Sequence, residues 1–391
     1  MLTRRSVLAA TSAAFTVPLL GGTSWQAQAM RPQAAQGSQG AQAAAIRLRF
    51  VNRTGAYDNA SIHFYIVGTD LATGQQSRVT PEGTLAPVSL ADNGTDGYAD
   101  YAIPFSGSGD TLSQIPADMS GRIYFSLGDK LKFKVNEGNA LAYPAAWVES
   151  DPSYGVLHDC VEFTYKSGRI YCNTTMVDMF SVPLSIALTG EQSPTTGTLV
   201  DGGRAKIFSA VSASPDFGSL VVDDRRIIAP GHGLDAGRFS TTFFDSYIDQ
   251  VWSKYAGEPL VVKANNATFT GRVSGDQLVF DGEVKAFSRP STRDVLFCDG
   301  ALAAPNDGVT GPVAAVLGAG FNRTTLLASA NQPTGDPGGF YQGSPVHAYS
   351  RAMHENTVDG RAYGFAFDDV GGFASYVEDN ASEMTVTLTP F

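Results

Sequence analysis

The run from His158 to Gly190, HDCVEFTYKSGRIYCNTTMVDMFSVPLSIALTG, carries two carboxylates, Glu162 and Asp178, inside otherwise β-prone, apolar and hydroxyl-rich sequence. On a strand, Val161, Phe163 and Tyr165 face one side, and Glu162 and Thr164 the other. An acid placed among apolar and aromatic residues needs a partner or a task. Acid-catalysed cleavage of an acetal such as a glycosidic bond uses two such groups, one to protonate the leaving oxygen and one to activate water. Taken alone the pair has a plainer reading, since acids on strands are more often solvated or ion-paired surface residues.

The context weighs against the plainer reading. VEFT at Val161 to Thr164, NTTMVDMFSVPLSIALTG from Asn173, HENTVDGRAYGFAFDDVGG from His354, and RLRFVNRTGAYDNASIHFYIVG from Arg47 to Gly68 together resemble glycoside hydrolase family 64, the inverting β-1,3-glucanases. The four blocks keep the family's order and spread over most of the chain after residue 45. The resemblance implies that the catalytic acids are those of the VEFT and VD(x)F blocks, which are Glu162 and Asp178. It implies glucan contacts at Thr164, Tyr171 and Thr175, with Tyr171 where Trp is expected and Lys166 where Asn is expected. It further implies endo-cleavage of β-1,3-glucan to short laminari-oligosaccharides such as laminaripentaose, with no metal and no organic cofactor. The fold it implies is mainly β: a thaumatin-like β-barrel or sandwich plus an inserted mixed α/β domain, with a wide groove between them.

The elements that must position the acids follow from the residues. A tight turn over Lys166-Ser167-Gly168-Arg169 sets Tyr165 opposite Ile170, Thr164 opposite Tyr171, Glu162 opposite Asn173 and Cys160 opposite Thr175. One face then shows Glu162, Thr164, Tyr171, Asn173 and Thr175, a floor for a sugar chain. Asp178 has the wrong parity for that face, and a straight strand would carry it roughly 16 Å past Asn173. A bulge or bend between Asn173 and Asp178 is therefore expected. Flanked by Val161 and Phe163, Glu162 is assigned as general acid, kept protonated by a low-dielectric setting, and Asp178 as general base. Asp159, Asp368 and Asp369 are the neighbouring alternatives; paired acids ahead of Val370-Gly371-Gly372 are more often turn formers or groove lining. His63 and His158 are expected to pack or cap.

The chain has 391 residues, 43% hydrophobic, with 42 glycines and net charge −11, which fits a globular, turn-rich protein of more than one domain. Residues 1–29 have the form of a twin-arginine export signal, with Arg4-Arg5, a short apolar stretch and Ala27-Gln28-Ala29. Their removal takes the charge to −13. An acidic body argues against nucleic acid, and no stretch approaches the length of a membrane span. The expected protein is secreted, monomeric and bound to a neutral glucan. Residues 30–45 read as a flexible leader, 46–195 and 355–391 as the β domain, and 196–354 as the mixed α/β domain. Strands are expected at 47–51, 61–67, 122–127, 130–135, 259–262, 267–273, 277–284, 362–367 and 383–388, and helices at 203–213, 235–255 and within 311–330. The aromatic stripe on the 235–255 helix is read as core rather than as a sugar platform. Cys160 and Cys172 either bridge or stay reduced, and Cys298 is placed on a core strand. No G-x-S-x-G, P-loop or H-E-x-x-H pattern is present. The rival function is a glucan-binding protein without catalysis.

Overall fold

A computed structural model describes residues 44–391. The segment expected to be an export signal, 1–29, and all but the last two residues of the expected leader lie outside that range. The labelled strands are β1 (Ile46–Asn52), β2 (Ile62–Asp70), β3 (Met119–Leu127), β4 (Leu157–Lys166), β5 (Arg169–Thr174), β6 (Met179–Phe180), β7 (Leu184–Thr189), β8 (Arg226–Ile228), β9 (Tyr376–Asp379) and β10 (Glu383–Leu388). The helices are α1 (Gly203–Ser212), α2 (Pro230–Asp235), α3 (Asp245–Gly257), α4 (Thr292–Phe297), α5 (Thr310–Asn322) and α6 (Ala348–Glu355).

Two sheets make the β part. One runs Thr195–Thr196, β7, β10, β1, Thr111–Ile115; the other runs β9, β5, β4, β3, β2 and on to Gln76–Val79 and Leu85–Pro87. Alternation decides what lies between them. Ile123 and Phe125 of β3, and Val161, Phe163 and Tyr165 of β4, pack with Leu48 and Phe50 of β1 and Met384, Val386 and Leu388 of β10 in one core. The opposite face of the larger sheet has two zones. Tyr65, Val67, Tyr124 and Cys160 make a second small core with Leu131, Phe133 and Val135. Beside it run polar rows, Arg122–Glu162–Asn173 and Ser120–Thr164–Tyr171, set in register across β3, β4 and β5.

β10 pairs parallel with β1 and antiparallel with β7, so the C-terminal strand rejoins the first part of the chain. The helices and the sheet containing Leu260–Ala264, Ala267–Ser274 and Gln277–Phe280 enclose a third core, from Phe208 and Val211 on α1 through Tyr247, Ile248, Val251 and Tyr255 on α3 to Val313 and Leu317 on α5.

Several expectations need correction. The 235–255 helix is two elements: α2 ends at Asp235, Gly237 follows with φ 71, and α3 begins at Asp245. Phe239, Phe243 and Phe244 lie in the intervening turns, where they still pack against Phe217 and one another. Apolar periodicity ran through a glycine break because both sides of it face the same core. Residues 362–367 form no strand: 362–364 are irregular, followed by a bend and a turn. KLKFKV keeps its buried Leu131, Phe133 and Val135, but only Lys134–Asn136 is strand. Cys298 caps α4 in the left-handed region, φ 49, instead of lying on a strand. All three cysteines are free and buried. Cys160 and Cys172 face opposite sides of the sheet, one in each core, so no bridge between them is geometrically open.

Candidate active site

The hairpin that carries Glu162 has the expected register: Tyr165 faces Ile170, Thr164 faces Tyr171 and Glu162 faces Asn173. Ser167 and Gly168 form its turn with φ 54 and 81, the positive values a two-residue hairpin requires. β5 ends at Thr174, and the chain bends at Val177 and Asp178 before β6. β6 leaves the large sheet and pairs with β8, so Asp178 comes to lie beside Ala229, whose N–H donates to the Asp178 carbonyl at 3.0 Å. The next element is α2, opened by Pro230 at a position that needs no N–H. Its first turn delivers His232 to the acid.

Both acids meet at one guanidinium. Arg122 Nε and Nη2 lie 3.1 and 2.9 Å from Glu162 Oε1, and Nη1 lies 3.0 Å from Asp178 Oδ2. Asn173 Nδ2 donates to Glu162 Oε2 at 3.3 Å, and His232 Nε2 to Asp178 Oδ1 at 2.9 Å.

Burial would raise Asp178, but the Arg122 charge and the His232 hydrogen bond outweigh it and hold its carboxyl well below the usual carboxylate range. Burial likewise opposes the charge on Arg122, and Tyr124, Asp178 and Glu162 around it reverse the effect and raise its pKa. The His232 ring is fixed from two sides, stacked on Trp147 at 4.0 Å and 16° and set edge-on to Phe297 at 5.5 Å. Trp147 is held in turn through Arg226, a fully buried residue whose guanidinium donates to the carbonyls of Ala146 and Val156.

Glu162 is buried, as expected, but its own face supplies polar partners. Val161 and Phe163 point to the other face of the sheet, as strand neighbours must, and the Glu162 carboxyl meets a guanidinium and an amide. Thr164 and Tyr171 are half-buried on the acid's face, with Ser120 Oγ and Thr164 Oγ1 2.8 Å apart. Asn173 is buried and engaged by Glu162; Thr175 is buried past the strand end, its hydroxyl accepting from Val177 N at 3.4 Å. Arg122, His232 and Trp147 were absent from the sequence reading. Arg122 had a signal, because Met119–Leu127 alternates and an arginine on its polar face must find an acid. His232 had none, since only the β6–β8 pairing brings it to Asp178.

Asp159 and Asp368 have structural duties. Asp159 accepts the backbone N–H groups of Cys160, Ser181 and Val182, and burial pushes its carboxyl up to about 7. Asp368 is buried in an ion pair with Arg323 at 3.0 Å and with His354 at 2.9 Å. Burial pushes Asp369 up to about 6. His158 is buried, its Nδ1 2.8 Å from the Val156 carbonyl. Among the described residues, no group of three or more His, Cys, Asp or Glu side chains converges as metal ligands would, and no helix is long and apolar enough to cross a membrane.

Residues 44–388 match the glycoside hydrolase family 64 model, described as beta-1,3-glucanase. A glucan endo-1,3-beta-glucosidase of Cellulosimicrobium cellulans is 36% identical over 289 residues, covering 70% of this chain and 53% of its own length. The chain thus spans about half the length of the curated relatives it matches. Among solved structures, a laminaripentaose-producing beta-1,3-glucanase in complex with laminaritetraose is 36% identical, with TM-score 0.81 over 89% of this chain and 99% of the other. A beta-1,3-glucanase domain from Clostridium beijerinckii is 28% identical, with TM-score 0.77 over 89% and 98%.

Proposed function

Since the chain belongs to glycoside hydrolase family 64, the beta-1,3-glucanases, we propose that it is an endo-acting hydrolase of β-1,3-glucan that inverts the anomeric centre, with Glu162 as general acid and Asp178 as general base. The observation that carries this reading is the single guanidinium on which both carboxylates are seated. It brings the two acids into one site, and it helps hold Asp178 ionised, the state a base needs. In the reaction Glu162 gives its proton to the glycosidic oxygen as the C1–O bond breaks. Water attacks C1 from the opposite face and loses its proton to Asp178. Two donors on Asp178 leave lone pairs free for that water, because a carboxylate offers about four acceptor sites.

Thr164 and Tyr171 are the proposed sugar contacts on the open part of the face, with Asn173 and Thr175 supporting from below. Release of laminaripentaose is part of the proposal, supported by the likeness to a laminaripentaose-producing relative. So are export by the signal at 1–29, action as a monomer, and the reading of 46–195 and 355–391 as a thaumatin-like β domain into which 196–354 is inserted across a groove. The separate cores and the β1–β10 pairing support that division. The test is release of new reducing ends from laminarin. Wild type should release them. Glu162→Gln and Asp178→Asn should each lose about 10²–10⁴ in kcat while still binding insoluble glucan. Binding without any release by wild type would make the protein a glucan-binding module instead.

A further inference from the structure

Arg122 has contacts that a simple structural ion pair does not need. It stands on the middle strand of the large sheet, directly opposite Glu162 in register, and spends separate edges of its guanidinium on two acids from different elements. Nε and Nη2 take Glu162; Nη1 takes Asp178 beyond the bend. The other groups facing this set are few. Tyr124, on the same strand, lies 3.4 Å from Nη1. Cys160 on β4 and Tyr143 on the adjoining loop lie on the same side. Tyr363 lies near Asp369 and Glu162, Tyr349 lies near Asp178, and His232 is hydrogen-bonded to Asp178. None of these is a second fixed cation. One positive charge therefore serves two carboxylates.

We propose that Arg122 is the shared counter-charge of the reaction, a positioning residue that holds the ionised carboxylate on whichever side of its guanidinium the negative charge stands. This rests on the assignment of Glu162 and Asp178 as acid and base. Before the step, Glu162 carries a proton and Asp178 is ionised. As the C1–O bond breaks, the Glu162 O–H bond breaks and its proton goes to the leaving oxygen. As water bonds to C1, a water O–H bond breaks and that proton goes to Asp178. The negative charge has moved from Asp178 to Glu162, while the sum over the two acids and Arg122 is zero at both ends. Nη1 holds the charge at the start, Nε and Nη2 at the finish, and no side chain has to travel. Only a planar, delocalised cation does this. A lysine ammonium is a compact point charge that sits against one carboxylate at a time.

The test is the pH profile of kcat/KM on laminarin, whose acidic limb reports the base and whose alkaline limb reports the acid. Arg122→Met should lose about 10²–10³ in kcat, the scale for removing one preorganised donor at developing charge. Both of its limbs should move to higher pH by about one to two units, as expected when an opposite charge within hydrogen-bonding distance is taken away. Arg122→Lys should move one limb only. His232→Phe, which keeps a ring against Trp147 and removes a contact to Asp178 but none to Glu162, should move the acidic limb alone. An Arg122→Met protein with wild-type circular dichroism and both limbs in place would overturn the proposal. If that variant does not fold, Arg122→Lys decides, and both limbs unmoved with kcat within about twofold of wild type would overturn it equally. Glu162→Gln and Asp178→Asn run alongside. Survival of activity in either sinks the catalytic assignment itself, whereas their inactivity with unmoved limbs in the Arg122 variants sinks only the counter-charge.

Discussion

Asp368→Asn should destabilise the protein strongly, and the loss should depend on pH in a defined direction. Asp368 is fully buried, and its partner Arg323 is 2% exposed. The Arg323 guanidinium lies over the rings of Phe340 and Phe373 at 4.6 and 5.1 Å and donates to the carbonyls of Val370 and Asp368. Replacing the carboxylate with an amide leaves that cation without a counter-charge in an apolar cage. Breaking one side of a buried pair costs about 3–5 kcal/mol. At roughly 2 °C per kcal/mol for a chain of this size, Tm should fall by about 6–10 °C. Burial would raise Asp368, but His354 and Arg323 outweigh it and its pKa is lowered. Burial would lower His354, but Asp368 outweighs it and its pKa is raised. The Asp368 contribution is therefore complete above its ordinary carboxylate pKa and lost as pH falls through the lowered one. The His354 contribution is complete below its ordinary imidazole pKa and lost as pH rises through the raised one. The stability gap between wild type and Asp368→Asn should be widest between about pH 4 and 6.5. It should narrow on the alkaline side by the histidine's share and close in strong acid. Urea unfolding of both proteins across that range reads the gap directly. A gap below about 1 kcal/mol, or one that is flat with pH, would refute the view that this is a buried ionic network.

Gly68 and Gly121 face each other across β2 and β3, where an added Cβ would come within 2.1 Å of the Ser120 carbonyl oxygen or 2.2 Å of the Val67 carbonyl oxygen. Gly121→Ala should cost about 1–3 kcal/mol in urea unfolding and reduce kcat by displacing Arg122 next to it. Tyr171→Trp, which enlarges the ring on the acid's face, should lower KM for laminarin a few-fold with kcat unchanged if that ring packs on a sugar; an unchanged KM places Tyr171 outside the subsites. Because all three cysteines are free, melting curves with and without a thiol reductant should coincide, and a reductant-dependent fall in Tm would show a bridge.

Sequence pattern reached the hairpin register around Glu162 because period two, a Ser-Gly turn and a buried face together leave one pairing. It reached the bend before Asp178 through parity alone, since an even–odd mismatch has no other remedy on one strand. It did not reach Arg122 as the partner of both acids, because the alignment of β3 with β4 depends on a connection of some thirty residues that carries no local register signal. His232 was further out of reach, delivered by the pairing of two very short strands. The break between α2 and α3 was hidden by Phe239 and Phe243, which bury themselves as a helix face would while lying in turns. The burial of Glu162 was legible from its strand, but its partner was not, because Arg122 comes from a strand distant in sequence.

The reaction's stereochemistry tests the central claim most directly. Early hydrolysis of laminarin should be followed by proton NMR before mutarotation blurs the anomers. With Glu162 as general acid and Asp178 as the base that activates water, the new reducing end should appear first as the α-anomer and drift to equilibrium afterwards. Appearance of the β-anomer first would require carboxyls about 5–5.5 Å apart and a covalent intermediate, and would contradict the assignment of Asp178 as the base that activates water.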